Sequence, residues 1–367
     1  MSKQTLPTRQ LGKDGPQVTA IGFGLMGLSS FYGKVGSDEE RFEILDRAYE
    51  LGETFWDSRF YFLRVPASCQ YLTPVTPCPS TGADMYGDSE DLVGKWFAKT
   101  GKRDDIFLAT KFANVSRDGQ WSVDSSPEYC KEACAKSLKR LGIDCIDLYY
   151  CHRIDQKTPI EHTMKAMVEL KNEGKIKYIG LSEVSEAALR RAYKVHPVHC
   201  VQMEYSPFSL EVEQFGLLKA CRELGVAMVA YSPLSTHKAC RGILTGAIKS
   251  PDDFEADDFR RYSPRFAKDN FAKNLEAVDA MKAFADRKGC TVGQLSLAWL
   301  LAQGNDVIPI PGTKKIKYLE ENIDALKVKL SAEEEGEIRQ ILNKTVVAGD
   351  RYPSAWLSGL FADSAPL

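Results

Sequence analysis

Five strand-like segments of this 367-residue chain each end on a polar residue, and helical patterns separate them. The segments read TFWD, IFLATK, IDLYYCH, IKYIGLS and CVQ, and they end at or next to Asp57, Lys111, His152, Ser182 and Gln202. A (β/α)8 barrel brings the carboxyl ends of all its strands to one mouth, so it accounts for reactive side chains at successive strand ends. The pattern therefore predicts a parallel α/β barrel, a TIM barrel, rather than an open sheet.

The remaining segments complete this pattern. The turn LGKDG indicates an N-terminal β-hairpin ahead of the first barrel strand, IGFG, and SDEE from Ser37 is a capping box that begins a helix. VAMVAYS and VIPIP supply later strands, and SAEEEGEIRQIL is an extra C-terminal helix followed by a tail. No Gly-x-Gly-x-x-Gly turn follows the first strand, which argues against a Rossmann domain. We expect residues 1–367 to form one barrel domain.

The composition excludes several classes of partner. The chain has 48 Lys and Arg against 50 Asp and Glu, for a net charge of −2, so no overall field favours nucleic acid or an anionic membrane. The first residues, MSKQTLPTRQL, lack the apolar region of a signal peptide, and no run is long enough to span a membrane. The ten cysteines have no CxxC spacing, which favours reduced thiols in a cytoplasmic protein over disulfides or a metal site. The oligomeric state is left open.

Tyr86, in ADMYGDSE, joins three of the strand-end residues in a set with a definite chemistry. Reduction of a carbonyl group needs a proton donor beside the oxygen, and a tyrosine is too weak an acid at neutral pH unless a neighbour tunes it. We expect Lys111 to acidify Tyr86 through its positive charge, and Asp57 to pair with Lys111 and hold it in place. His152 would orient the carbonyl or assist its protonation. The set predicts a nicotinamide-dependent carbonyl reductase.

Motifs along almost the whole chain, in the same order, resemble those of the aldo-keto reductases. They are WDS with ADMYGDSEDLVGKW, FLATK, LGIDCIDLYYCHRID, KIKYIGLSEVS, VQMEYSPFS, VAYSPL and IPIPGTKKIKYLEENI. The variants GLSE, EYSPFS and PGTKK are similar to the branch of pyridoxal-reductase-like and related fungal and plant enzymes. The resemblance implies hydride transfer from NADPH to an aldehyde or ketone, with Asp57, Tyr86, Lys111 and His152 as the catalytic residues.

The resemblance also implies the contacts of NADP(H). Ser182 and Gln202 would bond the nicotinamide carboxamide, and Tyr231 would stack on the ring. The family often has Asn where this chain has Glu183, which weakens that single contact. The pyrophosphate, 2′-phosphate and adenine would be bound by Ser232, Pro233, Leu234, Arg241, Gly312, Thr313, Lys314, Lys317, Glu321 and Asn322. The lysines of this set favour NADP over NAD, and their alternative interpretation is a solvated basic face.

Two segments interrupt otherwise regular motifs. The family pattern has the Asp and the Tyr five positions apart, whereas Tyr86 lies 29 positions after Asp57, and removing Arg59–Gly82 restores five. This 24-residue segment has four prolines and neither Asp nor Glu. Ser235–Cys240 similarly replaces what is usually one glycine. Two interpretations of the 59–82 insertion stay open, a retained intron and a genuine lid loop.

Alternatives to the reductase follow from these interruptions. A cofactor-binding regulatory protein or pseudoenzyme, similar to the potassium-channel β-subunit relatives of the family, is favoured if the insertions displace the catalytic residues. An NADP-assisted isomerase or dehydratase would use the same site. The small-molecule carbonyl substrate is not specified by the sequence, although Tyr352, Trp356 and Phe361 in the tail predict an aromatic-lined pocket.

Overall fold

A computed structural model describes residues 4–29, 35–58, 88–117, 120–234, 263–345, 347–352 and 354–367. In chain order its strands are β1 (Thr8–Gln10), β2 (Gln17–Thr19), β3 (Phe23–Gly24), β4 (Phe55–Asp57), β5 (Phe107–Phe112), β6 (Asn114–Arg117), β7 (Gln120–Val123), β8 (Ile146–Cys151), β9 (Ile176–Ser182), β10 (Cys200–Glu204), β11 (Ala227–Tyr231) and β12 (Val307–Pro309). Strands β1 and β2 form one antiparallel hairpin and β6 and β7 another. The remaining eight strands form a single parallel sheet.

The eight-stranded sheet closes into a barrel. Its strands are neighbours in the order β12, β11, β10, β9, β8, β5, β4 and β3. The two ends of that order meet, because the Gly22 N–H donates to the Pro309 carbonyl at 2.9 Å and the Gly24 N–H to the Pro311 carbonyl at 3.2 Å. A Cβ on Gly24 would lie 2.8 Å from a backbone oxygen of the opposite edge, so this seam requires glycine. The predicted (β/α)8 barrel is confirmed.

Helices cover the outside of the barrel. They are α1 (Met26–Ser29), α2 (Asp38–Glu50), α3 (Ser89–Thr100), α4 (Pro127–Leu141), α5 (Ile160–Asn172), α6 (Glu186–Val195), α7 (Glu211–Gln214), α8 (Leu217–Leu224), α9 (Lys268–Lys288), α10 (Val292–Ala302), α11 (Ile316–Asp324), α12 (Ala332–Lys344) and α13 (Ser354–Leu357). The predicted capping box is confirmed, since the Ser37 hydroxyl accepts from the Glu40 N–H at 3.3 Å and the Glu40 carboxylate accepts from the Ser37 N–H at 2.8 Å. The sequence pattern predicts a single helix from Gln214 to Leu224, but Gly216, with φ 76°, separates α7 from α8.

The spacing of apolar residues in α2 predicts an inner face of Phe42, Leu45, Ala48 and Tyr49, and the structure differs from it. Phe42 and Tyr49 are only half-buried, whereas Ile44 is buried together with Arg41. Arg41 can be buried because its guanidinium pairs with Asp88, at 2.6 Å, and with a second aspartate of its own helix. A pattern of apolar residues alone does not reveal such a buried charge.

Alternation along each strand decides which residues face the barrel interior. In β4 the Phe55 side chain packs in the interior cluster, Trp56 packs outward against helices, and Asp57 therefore faces inward again. The same period of two applies to the neighbouring strands, whose interior residues include Ala109, Leu148, Tyr178, Cys200 and Val229. It brings the predicted site residues Lys111, His152, Ser182, Gln202 and Tyr231 to the inner face at the carboxyl ends. The hairpin β1–β2 packs Leu11 and Val18 into this same interior cluster.

The nearest described residues on the two sides of the 59–82 insertion belong to the end of β4 and the start of α3, and these two ends contact each other. The hydroxyl groups of Ser58 and Ser89 are hydrogen-bonded at 2.9 Å. The insertion itself, the 235–240 segment, Tyr86 and Arg241 lie outside the described residues. Within the part of the chain that the structure describes, no helix is long and apolar enough to cross a membrane.

Candidate active site

A buried ion pair lies at the barrel mouth. The Lys111 ammonium donates to Asp57 Oδ1 and, at 3.0 Å, to the Ser58 carbonyl. Asp57 Oδ2 accepts from Gln202 Nε2 at 2.8 Å, a bond that reaches across the mouth from β10 to β4. The three side chains are at most 7% exposed. Both carboxylate oxygens thus have a donor, which lets Asp57 stay buried as an anion opposite Lys111.

His152 lies directly after β8 and is held by a residue that the sequence analysis did not identify. Asn114, the first residue of the hairpin β6–β7, places its Nδ2 2.9 Å from His152 Nδ1, and both residues are buried. With Asn114 donating, Nδ1 accepts and the proton of the neutral ring resides on Nε2. The arrangement gives His152 an Nε2–H donor of the kind that can orient a carbonyl oxygen.

Ser182, at the end of β9, contacts a second residue that sequence reasoning missed. Arg153 donates to the His152 carbonyl at 2.7 Å and to the Ser182 hydroxyl at 3.3 Å. The guanidinium therefore joins the loop after β8 to the end of β9. Its place next to His152 in CHRID is the only sequence signal that could have identified it.

Glu183 and Tyr231 are joined to each other. The Tyr231 hydroxyl, at the end of β11, donates to Glu183 Oε1 at 2.8 Å, and Glu183 has no exposed surface. Burial, followed by the nearby charge of Glu183, raises the pKa of Tyr231 well above its usual value, so the hydroxyl stays protonated and remains a donor. The predicted contact of Glu183 with the carboxamide stays a prediction, and the structure gives its carboxylate this other partner.

Three residues other than glycine adopt a left-handed backbone where strands end at the mouth. They are Ala113 after β5 (φ 90°), Glu183 after β9 (φ 51°) and Ser232 after β11 (φ 48°). Such conformations cost free energy and persist only where the surroundings fix them, and they are concentrated at functional sites. The strained positions coincide with the end of the barrel that carries the predicted site.

The segment after β11 begins at the carboxyl end of the barrel. Ser232, Pro233 and Leu234 form the turn there, and all three are buried. Leu234 packs with Leu297 of α10 in a small apolar cluster, so its side chain supports the fold while its backbone lies at the turn. The next predicted contact, Arg241, lies outside the described residues.

The predicted phosphate site lies at the start of α11. Gly312 is exposed, and a Cβ there would meet the Gly24 carbonyl at 2.5 Å. The Thr313 hydroxyl accepts from the Lys315 N–H at 3.1 Å and shapes the turn into the helix. The first turn of α11 carries no acidic residue, while Lys317 is exposed and Lys314 half-buried. Free backbone donors and lysines at a helix N-terminus are the features that suit a phosphate group.

The remaining predicted contacts lie further along α11. Glu321 accepts from the Thr291 hydroxyl at 2.7 Å, which ties α11 to the start of α10. Asn322 is buried. Among the tail aromatics, Phe361 packs edge to face on the 58% exposed Phe215, with ring centroids 4.9 Å apart. The side chain of Trp356 lies outside the described part.

Comparisons with known proteins identify the family. Residues 20–343 match the model of the Aldo/keto reductase family. The chain is 50% identical to aldo-keto reductase str7 of Strobilurus tenacellus and 49% identical to aldo-keto reductase yakc [NADP(+)] of Schizosaccharomyces pombe, each over 99% of both chains.

Solved structures give the same result for the fold. The glycerol dehydrogenase AKR11B4 from Gluconobacter oxydans is similar with a TM-score of 0.75 and 26% identity, covering 94% of this chain and 97% of that one. The holo form of aldo-keto reductase AKR11C1 from Bacillus halodurans is similar with a TM-score of 0.69 and 26% identity, covering 95% and 99%. By its sequence and by its barrel, the chain belongs to the aldo/keto reductase family.

Proposed function

We propose that this protein reduces the carbonyl group of an aldehyde or ketone to an alcohol with NADPH as the reductant. The observation that carries the proposal is the buried pair of Lys111 and Asp57 beside His152 at the barrel mouth. An ammonium held by a carboxylate in a site of low exposure can tune a neighbouring acid, and an imidazole N–H can orient a carbonyl oxygen.

Four residues of the chain have distinct roles in the reaction. Tyr86 donates the proton to the carbonyl oxygen, a role that rests on its place in the ADMYG motif and on the expectation that Lys111 acidifies it. Asp57, held by Lys111 and Gln202, keeps the ammonium in one position. His152 presents its Nε2–H, because Asn114 occupies Nδ1. The barrel interior below these residues is filled by buried apolar side chains.

The residues present fit an NADP molecule. A helix N-terminus without acidic residues, an exposed Gly312 and the lysines Lys314 and Lys317 suit a 2′-phosphate, and Tyr231 offers an aromatic ring at the mouth. When bound, NADPH supplies the hydride. The relative from Schizosaccharomyces pombe carries NADP(+) in its name, which supports this choice of cofactor.

The regulatory alternative has less support. Asp57, Lys111 and His152 are assembled in one buried site, whereas a protein that only bound the cofactor would not need this arrangement. We further propose that residues 1–367 act as one domain on small carbonyl compounds in the cytoplasm. The reduced-cysteine composition and the balanced charge support that location.

Substitution of Tyr86 tests the proposal. Tyr86→Phe keeps the ring and removes the proton, so turnover of aromatic aldehydes should fall by about 10²- to 10⁴-fold while the Kd for NADPH is unchanged. Turnover is followed by the loss of NADPH absorbance, and the Kd by quenching of tryptophan fluorescence. Tyr193→Phe, on the outer helix α6, is the control and should keep wild-type turnover. A Tyr86→Phe variant with wild-type turnover would refute the assignment.

A further inference from the structure

The carboxylate of Glu183 holds the hydroxyl of Tyr231, and the rest of the chain holds Glu183. Its Oε1 accepts from the Tyr231 hydroxyl at 2.8 Å and from the Glu204 N–H at 3.3 Å. Its Oε2 accepts from the Phe361 N–H at 3.4 Å, a backbone donor of the C-terminal segment. The side chain of Glu183 is therefore fixed from the strand β10 on one side and from the tail on the other.

Arg351, also in the C-terminal segment, supplies the opposite charge. Its NH1 lies 3.7 Å from Glu183 Oε1 and 3.7 Å from Glu204 Oε2, and its Nε lies 3.4 Å from Glu211 Oε1. The Arg351 side chain is 4% exposed and the first two carboxylates are fully buried. Charges screened so little interact strongly, and removing one partner leaves the others uncompensated.

Arg351 is itself anchored. Its carbonyl accepts from the Ser263 hydroxyl at 2.8 Å, and its guanidinium lies 5.3 Å from the centre of the Phe361 ring. A second arginine, Arg265, donates to the Gly349 carbonyl at 3.2 Å and lies 3.5 Å from the Glu204 carboxylate. The segment that carries Arg351 is thus docked on the buried carboxylates at two points.

Backbone bonds connect the same segment to the strained end of β9. The Ala362 N–H donates to the Glu183 carbonyl at 2.9 Å, and the Ser185 N–H donates to the Ala362 carbonyl at 2.9 Å. Glu183, whose left-handed φ is 51°, also donates its own N–H to the Gln202 carbonyl at 3.2 Å. These bonds fix a conformation that a glutamate does not adopt freely.

We propose that Glu183 and Arg351 are positioning residues for Tyr231, so that docking of the C-terminal segment sets the ring on which the nicotinamide stacks. The inference rests on the proposed function, since it takes the nicotinamide as the group that Tyr231 meets. A buried charge network that only stabilised the fold would not need to end on the hydroxyl of a mouth residue. Here Arg351 lies at an ion-pair distance of 3.7 Å from Glu183, and Glu183 in turn accepts the 2.8 Å hydrogen bond from Tyr231.

A double-mutant cycle tests the connection. Tyr231→Phe keeps the ring and cuts the bond to Glu183, and Arg351→Met removes the charge that faces Glu183. Each single variant should weaken NADPH binding roughly 3- to 10-fold, because a hydrogen bond to a charged group is lost or misplaced. The double variant should be little weaker than the worse single one, since both changes break one path. The Kd is measured by tryptophan fluorescence, with folding checked by circular dichroism.

Arg103→Met is the matched control. Arg103 forms an ion pair of 2.7 Å with Asp147, which is near the amino-terminal end of β8 and thus at the opposite end of the barrel. This variant should keep the wild-type Kd and combine additively with Tyr231→Phe. If Arg351→Met does not fold, Arg351→Lys, which keeps the charge but alters its geometry, takes its place in the cycle.

Amide hydrogen exchange provides a second measurement, which a network that only stabilised the fold would not affect in this way. Because coupling between sites is reciprocal, NADPH should slow exchange of the Phe361 and Ala362 amides in the wild type and not in Tyr231→Phe. Additive effects in the cycle, or equal protection in both proteins, would overturn the inference while leaving the reductase assignment intact. A wild-type protein that does not bind NADPH would instead refute the proposed function, and this inference with it.

Discussion

Glu53 is a buried carboxyl group that stands out among the described residues because its side chain forms no hydrogen bond. It lies just before β4, has no exposed surface, and neither of its carboxyl oxygens has a hydrogen-bond partner among the residues that the structure describes. Its backbone is satisfied, since its N–H donates to Ala48 and its carbonyl accepts from the Trp56 indole at 2.7 Å. Burial raises the pKa of Glu53 well above its usual 4.5. We therefore predict that replacing Glu53 stabilises the protein.

The magnitude follows from the unmade hydrogen bonds. A buried polar group without a partner costs about 1–3 kcal/mol, so Glu53→Leu, which is similar in size and apolar, should raise the free energy of unfolding by about that amount. With about 2.1 cal/mol/K of unfolding entropy per residue over 367 residues, the melting temperature should rise by about 1–4 °C. Glu53→Gln keeps the shape and the polarity of the side chain but cannot ionise. It should therefore gain only the part of the free energy of unfolding that the ionisation of Glu53 costs.

The pH dependence separates these contributions. Because the pKa of Glu53 is raised in the folded state, the unfolded chain releases its proton first as the pH increases above 4.5. The free energy of unfolding contributed by this group therefore falls with rising pH until the folded pKa is passed. The gain from Glu53→Gln should be small at about pH 5 and larger at about pH 8.

Urea denaturation at the two pH values measures the effect, and Glu43→Gln on the exposed face of α2 is the control that should change little. If Glu53→Leu and Glu53→Gln both lower the free energy of unfolding, or if their effect does not depend on pH, then Glu53 has a favourable charged contact and the reasoning is wrong.

Three further predictions concern the site. Lys314→Ala should weaken NADPH binding roughly tenfold and leave NADH binding unchanged, because only NADPH carries the 2′-phosphate. Lys327→Ala is the control and should change neither affinity. Equal affinities of the wild type for both cofactors would contradict the assignment. Asn114→Leu should lower kcat by about 10- to 100-fold with little change in the Kd for NADPH, because His152 loses its orienting donor; unaltered kcat would contradict this. Deleting residues 59–82 should preserve folding and raise reductase activity, because Ser58 before this segment and Ser89 after it are already joined by a hydrogen bond. A deletion variant with a lower melting temperature and no activity would identify a structural lid.

The barrel and the inner layer of its mouth could be predicted from sequence because both follow from local patterns. A strand such as FWD alternates between the interior and the helices, so a polar residue at its end has a predictable direction. The capping box at Ser37 is equally local, since its two hydrogen bonds link residues three positions apart. The bounds of α4, Pro127–Leu141, also follow from adjacent residues, with Ser126 before it and Gly142 after it.

The residues that sequence reasoning missed are those whose roles depend on distant partners. Asn114 acquires its role from His152, and the hairpin β6–β7 that carries it has no pattern by which we predicted it. Arg351 pairs with Glu183 across the fold, so neither residue indicates the other in the sequence. Glu183 did stand out as a departure from the family's usual Asn, but only the structure shows which residues use its carboxylate.

Gln202 shows how one predicted residue can serve two purposes. A glutamine amide has two N–H donors and one carbonyl acceptor, and Gln202 directs its Nε2 to Asp57 at 2.8 Å. The nitrogen is thus committed to the carboxylate that holds Lys111, which leaves the carbonyl oxygen as the atom suited to accept from the amide of a nicotinamide carboxamide. If this oxygen meets the carboxamide as predicted, one side chain would both restrain Asp57 and contact the cofactor. The link explains why a neutral amide is better placed here than a second carboxylate, whose charge would repel Asp57 and leave it without its second donor.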